Sequence, residues 1–298
     1  AEGATKSTAV LMETHLSLTG ASGKVGLYYD KPNDDWYMPT GKLASTHIVK
    51  QSHVRLKGIV VNEQFCIRVA GKLGIEVPET FIVDLGNGND DEVLFATKRY
   101  DRLINDESRI INGIKRPFRL HQEDFAQAMG VAAKNKYEQR GDNYLSRIFA
   151  LLRRVSGNPL EDIQELWKRI IFNYLVGNND GHIKNYSLLY GSDLQGIRLA
   201  PAYDIISTTV YGQSSRSLSI AFGNESRINK VTTDDILQAA TDAGMGKTMA
   251  GAILVTMQNN FLEALNESVL ELTDRGFAHA KQLSEQILAT GGIGLLNS

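Results

Sequence analysis

Residues 158–176 constrain the fold of this chain more than any other stretch. Asn158 stands before Pro159, a capping residue followed by proline at the first helical position, where the missing N–H costs nothing. Leu160, Ile163, Leu166, Trp167, Ile170, Ile171, Tyr174 and Leu175 then recur at helical spacing, which predicts a well-defined helix. That helix delivers the chain directly into Val176-Gly177-Asn178-Asn179-Asp180-Gly181-His182-Ile183-Lys184-Asn185, a polar loop holding a His and a Lys. Two strand-like runs follow, Tyr186 to Leu189 and Ile197 to Leu199, and the second leads to Asp204. A hairpin at this point brings Asn185 and Asp204 back to one place.

An Asp with an Asn five residues on, then a second Asp across a hairpin, is the layout that phosphoryl transfer uses. The first Asp orients or deprotonates the attacking hydroxyl, and the Asn amide oxygen and second carboxylate supply the hard oxygens that Mg²⁺ demands. The same residues also read as structure alone, because Asn-Asp-Gly is a turn signal and Asp204 can cap the element after it. The rest of the chain decides between these readings.

The 298 residues suffice for one large or two modest domains with a sizeable core. Lys and Arg number 32 against 34 Asp and Glu, so nothing in the balance calls for nucleic acid or an anionic membrane as a direct partner. The single cysteine, Cys66, excludes an intramolecular disulfide and a Cys-based zinc site, and fits a reducing, cytoplasmic setting. It falls in an apolar helical pattern, where a buried, inert thiol is expected. No apolar run approaches the length of a membrane span, and no signal peptide opens the chain.

Taken in order, Gly20, Gly23 and Gly26 make a turn whose backbone N–H groups can approach phosphate oxygens; without a ligand, the same glycines make a plain hairpin. Strands are expected at Trp36 to Met38 and Ser45 to Val49, the latter ending at Lys50, which can reach α- and β-phosphates. A helix over Gly58 to Leu73, closed by Gly74, places Glu63 in its first turns as the ion-pair partner of Lys50. Strands near Thr80 to Asp84 and Glu92 to Lys98 flank a tight turn at 86–91, and Tyr100-Asp101-Arg102 ends the sheet-rich part. Helices are then expected to open at Arg119 to Phe125, to run from Asp142 to Val155, and, after the loop, over Asp234 to Ala243, Thr248 to Leu270 and Arg275 to Ala289. Gly244-Met245-Gly246-Lys247-Thr248 lacks the first glycine of a phosphate loop and reads as a helix-linking turn. Glycine turn, strand lysine, helix glutamate, helices, Asp-x₄-Asn loop, then Asp is the order of parts in a protein-kinase-like fold. The expectation is an α+β, two-lobed chain, with residues 1–102 forming a β-rich nucleotide-covering lobe and residues 103–298 a helical lobe.

Ser17 to Lys24, Ser45 to Lys50, Arg99 to Arg102, Arg119 to Asp124, Asp180 to Asn185 and Pro201 to Ser207 form six linked stretches that together resemble the HipA family of bacterial toxin kinases. The resemblance implies an ATP- and Mg²⁺-dependent serine/threonine kinase of a toxin–antitoxin system, in the cytoplasm, with a HipB-type DNA-binding antitoxin as partner. Aminoacyl-tRNA synthetases are the known substrates of the family. Carried over, Asp180 is the catalytic base, and Asn185 and Asp204 are metal ligands. Lys50, His182 and Lys184 join the nucleotide site, Leu18, Thr19, Gly20 and Ala21 form the loop over the phosphates, and the backbone of Lys98 and Tyr100 meets the adenine. Ser17, and with it Thr19, is implied as an autophosphorylation site; phosphate there adds about −1.5 to −2 charge beside the triphosphate and switches the kinase off. Ser22 and Gly23 fill the middle of a loop that in the family reads Gly-Ala-Gln-x-Lys. The chain starts close to the glycine loop, as in the short HipT-type kinases, where a small HipS-type protein supplies the N-terminal piece.

Two other functions fit part of this pattern. An aminoglycoside-type small-molecule kinase shares the Asp-x₄-Asn loop and the later Asp, and an antitoxin-binding scaffold would need no catalysis. The Ser17 and Lys50 stretches favour the toxin kinases over the former, and the intact set of catalytic side chains disfavours the latter.

Overall fold

The computed structural model describes residues 23–51, 56–84, 93–111, 113–212 and 214–293. The candidate loop residues Ser17, Leu18, Thr19, Gly20 and Ala21, and the turn at 86–91, lie outside the described residues. The chain divides into two compact units, one of residues 1–64 and 78–121, the other of residues 65–77 and 122–298.

The first unit is built on an antiparallel sheet of β1 (Lys24–Asp30), β2 (Asp35–Tyr37), β3 (His47–Gln51), β4 (Thr80–Asp84) and β5 (Val93–Lys98), in the order β2-β1-β3-β5-β4. Strand alternation explains its two faces. In β3, His47 and Val49 are buried, while Ile48 and Lys50 between and beside them are only half-buried. Leu27, Trp36, Val49, Leu94 and Ala96 form the core cluster on this sheet, with Tyr29 and Phe81 packed against it. Helix α1 (Ile59–Lys72) follows β3, and the division between the units falls within it. Gly74, at φ +72°, ends it as the sequence indicates.

Strands continue beyond Arg102, contrary to expectation. Two short ladders, β6 (Arg102–Leu103) with β9 (Phe118–Arg119) and β7 (Ile110–Ile111) with β8 (Ile114–Lys115), complete the first unit. At their root, the buried Asp101 carboxylate accepts from Arg99 Nε at 2.9 Å, Arg99 Nη2 at 2.8 Å and Arg102 Nη1 at 2.6 Å. Burial alone would raise the pKa of that carboxyl, but the two guanidinium groups outweigh it and hold it below the usual range.

The second unit opens with β10 (Gln122–Asp124) and the one-turn helix α2 (Phe125–Ala128). The longer helix expected from Arg119 onward does not form. Gln122, Glu123 and Asp124 instead pair with β11 (Ser187–Leu189), and Asp124 caps α2 through a reciprocal bond pair with Gln127. Helix α3 (Tyr144–Val155) and helix α4 (Pro159–Val176) follow. Trp167, Ile171, Phe172, Tyr174 and Leu175 of α4 are almost fully buried, with Phe149, Phe222 and Phe261 around them. Strand β12 (Arg198–Leu199) pairs with β11. A hairpin absent from the sequence reading, β13 (Ser217–Phe222) with β14 (Glu225–Arg227), precedes helices α5 (Thr233–Asp242), α6 (Lys247–Asp274) and α7 (His279–Thr290). Gly246 stands at the N-terminus of α6, so the Gly244 to Thr248 stretch does link two helices.

Arg169 of α4 is only 1% exposed, yet it is not left unpaired. Its Nε and Nη2 both lie 3.2 Å from Glu165 Oε1, and its Nη1 donates to the Ala200 carbonyl at 2.5 Å. The buried cation thereby ties α4 to the segment that leads to Asp204. The Cys66 thiol is buried. Among the described residues, no helix is long and apolar enough to cross a membrane.

Candidate active site

The loop after α4 is shaped by glycines and asparagines. Gly177 adopts φ +73° at the helix end, and Asn178 N–H returns to the Asn173 carbonyl at 2.7 Å, closing the helix. The Gly177 carbonyl in turn accepts from Thr208 N–H, Thr209 N–H and Thr208 Oγ1, each at 3.0 Å. Those bonds fasten the segment just after Asp204 onto the end of α4. Inside the loop, Tyr186 Oη accepts from Asn173 Nδ2 at 2.8 Å, Asn173 Oδ1 accepts from Asn178 Nδ2 at 2.9 Å, and Asn178 Oδ1 accepts from Asp180 N–H at 3.1 Å. This relay runs from the buried Tyr186 to the backbone of Asp180. Gly181 packs over it so closely that a Cβ there would stand 2.8 Å from Asn173 Nδ2.

Asp180 is the half-exposed outcome of that buried framework, its side chain 48% accessible. Oδ1 accepts from Tyr137 Oη at 2.7 Å and lies 4.0 Å from His182 Nε2. The Tyr137 ring meets the His182 ring edge-on, with centroids 5.3 Å apart. Burial, then the bond to Asp180, pushes the Tyr137 phenol up to about 12, so it is a donor at neutral pH. Burial lowers the His182 pKa, against the pull of the Asp180 and Asp204 carboxylates, and keeps the imidazole neutral there. That both carboxylates act on His182 puts Asp204 in the same electrostatic neighbourhood as Asp180.

Asn185 Nδ2 donates to the Asp180 carbonyl at 3.0 Å. Because only the amide nitrogen can donate, this bond engages Nδ2, and Asn185 Oδ1 is the side-chain atom able to ligate a cation. Asp204 is exposed and adopts φ +59°, a left-handed conformation that Asp tolerates better than most residues and that clusters at functional sites. Ile205, Ser207 and Thr209 behind it are buried, so its backbone is held from one side. Among the described residues no group of three or more His, Cys, Asp and Glu is placed to hold a metal. The donor set here is one amide oxygen and one carboxylate. That set fits Mg²⁺, which keeps several waters and takes one or two protein oxygens besides substrate phosphates.

Lys184 Nζ lies 2.6 Å from Asp124 Oδ2. In the first unit, Lys50 Nζ lies 2.7 Å from Glu63 Oε1, the pairing that strand and helix spacing indicate. Lys98 donates its N–H to the Glu79 carbonyl at 2.9 Å, and Arg99 its N–H to Thr46 at 2.8 Å. A cavity of about 340 Å³ in this unit is lined by Tyr29, His47, Glu79 and Lys98 among others. Of its lining residues, His47 lies on the opposite face of β3 from Lys50.

Tyr137, Asp124 and Asn173 were not singled out from the sequence. Asn173 did leave a trace, as a polar residue inside the apolar run of α4; Tyr137, in a loop 43 positions before Asp180, left none.

The family model of HipA-like C-terminal domains matches residues 16–265. The Sinorhizobium fredii protein Y4mE is 34% identical over 259 residues, which cover 87% of this chain and 58% of that protein. The serine/threonine-protein kinase toxin HipA of Shewanella oneidensis is 28% identical over 268 residues, covering 86% of this chain and 58% of the toxin. The chain therefore spans little more than half the length of these curated relatives. A solved structure of the Shewanella oneidensis HipA, in complex with HipB and operator DNA, matches with a TM-score of 0.74 at 25% identity, over 94% of this chain and 67% of that one. The α+β, kinase-like class expected from the order of motifs is thus the fold observed.

Proposed function

Because this chain belongs to the family of HipA-like C-terminal domains, we propose that it transfers the γ-phosphoryl group of ATP to a serine or threonine hydroxyl of a protein. The observation that carries this reading is the fixed relation of Asp180 to Asn185, with Asp204 held in a left-handed turn beside them. In the reaction the acceptor hydroxyl oxygen attacks the γ-phosphorus, its proton passes to the Asp180 carboxylate, and the bond to the leaving ADP oxygen breaks. Asn185 Oδ1 and Asp204 would hold Mg²⁺, which when bound supplies positive charge to the phosphate oxygens. Neutral His182 adds no second cation to that site. Lys50, oriented by Glu63, serves the α- and β-phosphates. At Lys98 an adenine contact falls to the carbonyl, since the N–H is bonded to Glu79.

Ser17 and Thr19 are the proposed autophosphorylation positions, and a HipB-type antitoxin, as in the Shewanella complex, is the proposed partner. Incubation with radiolabelled ATP, Mg²⁺ and a bacterial lysate, or dephosphorylated casein, tests the central reading. Asp180→Ala and Asp204→Ala should each lower phosphotransfer by several orders of magnitude while leaving the fold intact by circular dichroism. Undiminished transfer by Asp180→Ala would refute the assignment of the base.

A further inference from the structure

Asp180 has two carboxylate oxygens, and the structure uses them unequally. Oδ1 accepts the Tyr137 hydroxyl at 2.7 Å and faces His182 Nε2 at 4.0 Å. Tyr137 itself belongs to a tightly held stretch. It follows a 3₁₀ turn, Ala133–Asn135, whose last carbonyl accepts from the buried Tyr144 hydroxyl at 2.5 Å. The next residue, Glu138, sends its side chain inward, where its two oxygens accept from Tyr144 N–H at 2.7 Å and Ala221 N–H at 2.6 Å. Glu138 N–H is bonded to the Ser219 carbonyl at 3.1 Å. The stretch is therefore bolted to the start of α3 and to β13, and the ring is steadied by His182 on one side and by Lys136 Nζ, 4.8 Å from its centroid, on another. A phenol on so fixed a base is suited to hold a partner still, rather than to swing away from it.

We propose that Tyr137 is the positioning residue of Asp180: it holds Oδ1 and so turns Oδ2 toward the acceptor hydroxyl. This inference rests on the kinase reading above. Without the phenol, the half-exposed Asp180 side chain is free to rotate about χ1 and χ2, and the fraction of time in which Oδ2 meets the acceptor falls. Misplacement of a reacting group by about 1 Å is enough to cost on the order of 100-fold in rate. The loss belongs to the chemical step, because the phenol oxygen that holds Asp180 is the only atom removed, while the ring keeps its contact with His182.

The variant Tyr137→Phe removes one oxygen and leaves the ring on His182, so the loop stays packed. With the full chain, ATP, Mg²⁺ and dephosphorylated casein, kcat should fall about 10- to 100-fold while KM for ATP changes less than about two-fold. A second measurement reads the contact without turnover: 3-fluorotyrosine placed at position 137 should change its ¹⁹F resonance on Asp180→Asn in the absence of nucleotide. Wild-type transfer with an equally active Tyr137→Phe would overturn the positioning role and leave the kinase reading standing. A ¹⁹F resonance indifferent to Asp180→Asn would overturn it as well. Phosphate found on Tyr137 by mass spectrometry after incubation with ATP would also overturn it, since the phenol would then be an acceptor. If the wild type transfers no phosphate from ATP to lysate proteins or casein, the kinase reading falls and takes the positioning role with it, whatever the ¹⁹F result.

Discussion

Gly181→Ala inserts a single methyl group where the active-site loop is least able to admit one. A Cβ at this position would stand 2.8 Å from Asn173 Nδ2 and 3.1 Å from Asn173 Cγ, well inside an ordinary contact. Asn173 cannot simply turn aside. Its Nδ2 bonds Tyr186 Oη at 2.8 Å, and its Oδ1 accepts from Asn178, which in turn holds Asp180 N–H. Either the amide moves by about half an ångström and strains both bonds, or the loop lifts and carries Asp180 with it. Breaking two buried hydrogen bonds and leaving partners unsatisfied costs about 2–4 kcal/mol. A loop displacement of that size should lower phosphotransfer by roughly 10- to 100-fold. Urea denaturation measures the first effect, and kcat with casein the second. The double-mutant cycle with Asn173→Ala identifies the cause: once the amide is gone the methyl has room, so Gly181→Ala should add less than about 0.5 kcal/mol in that background. Full additivity of the two substitutions would refute the steric account, as would a Gly181→Ala variant indistinguishable from the wild type in stability.

Arg169→Met strands the Ala200 carbonyl and removes two bonds from Glu165, which keeps Lys168 and the Glu76 N–H as partners. It should cost about 3–5 kcal/mol by chemical denaturation; a loss under about 1 kcal/mol would contradict the structural role given to this buried cation. His47 is 6% exposed, and burial lowers its pKa from 6.5 to about 4, against the pull of Glu79. Because the unfolded chain binds a proton there that the folded chain refuses, stability should fall as pH drops from 6.5 toward 4, by about 2 kcal/mol at pH 4.5 from this residue. In His47→Gln the loss between pH 7 and pH 4.5, followed by urea midpoints, should be smaller by that amount; an unchanged pH dependence would show that His47 titrates normally.

Much of the site was legible because its parts are local. Asp180, Gly181 and Asn185 share one loop, and the Asn185 side chain bonds backbone only five residues away. Lys50 and Glu63 are 13 positions apart, on a strand and the first turns of the helix after it, so spacing alone suggested their pairing. The helix of residues 159–176 was readable from apolar periodicity, since a buried stripe and a proline at its start are properties of the chain and not of its neighbours.

Other features had no local signature. Arg119 to Phe125 carries residues that read as a helix start, yet Arg119 pairs with Arg102 and Gln122–Asp124 pair with Ser187–Leu189, some 65 positions onward, so only one helical turn remains. The strands between Arg102 and Arg119 have two residues each, too few for an alternating pattern to register, and β13 at 217–222 buries Leu218, Ser219 and Ile220 in succession, so its burial does not alternate. Tyr137 reaches Asp180 across 43 residues, Lys184 reaches Asp124 across 60, and Arg169 reaches Ala200 across 31. Sequence periodicity states which face of an element is apolar and where a turn can form. Which polar groups from distant segments then meet over the base is decided when those faces are buried together, because the partner of each hydrogen bond is chosen by packing and not by spacing along the chain.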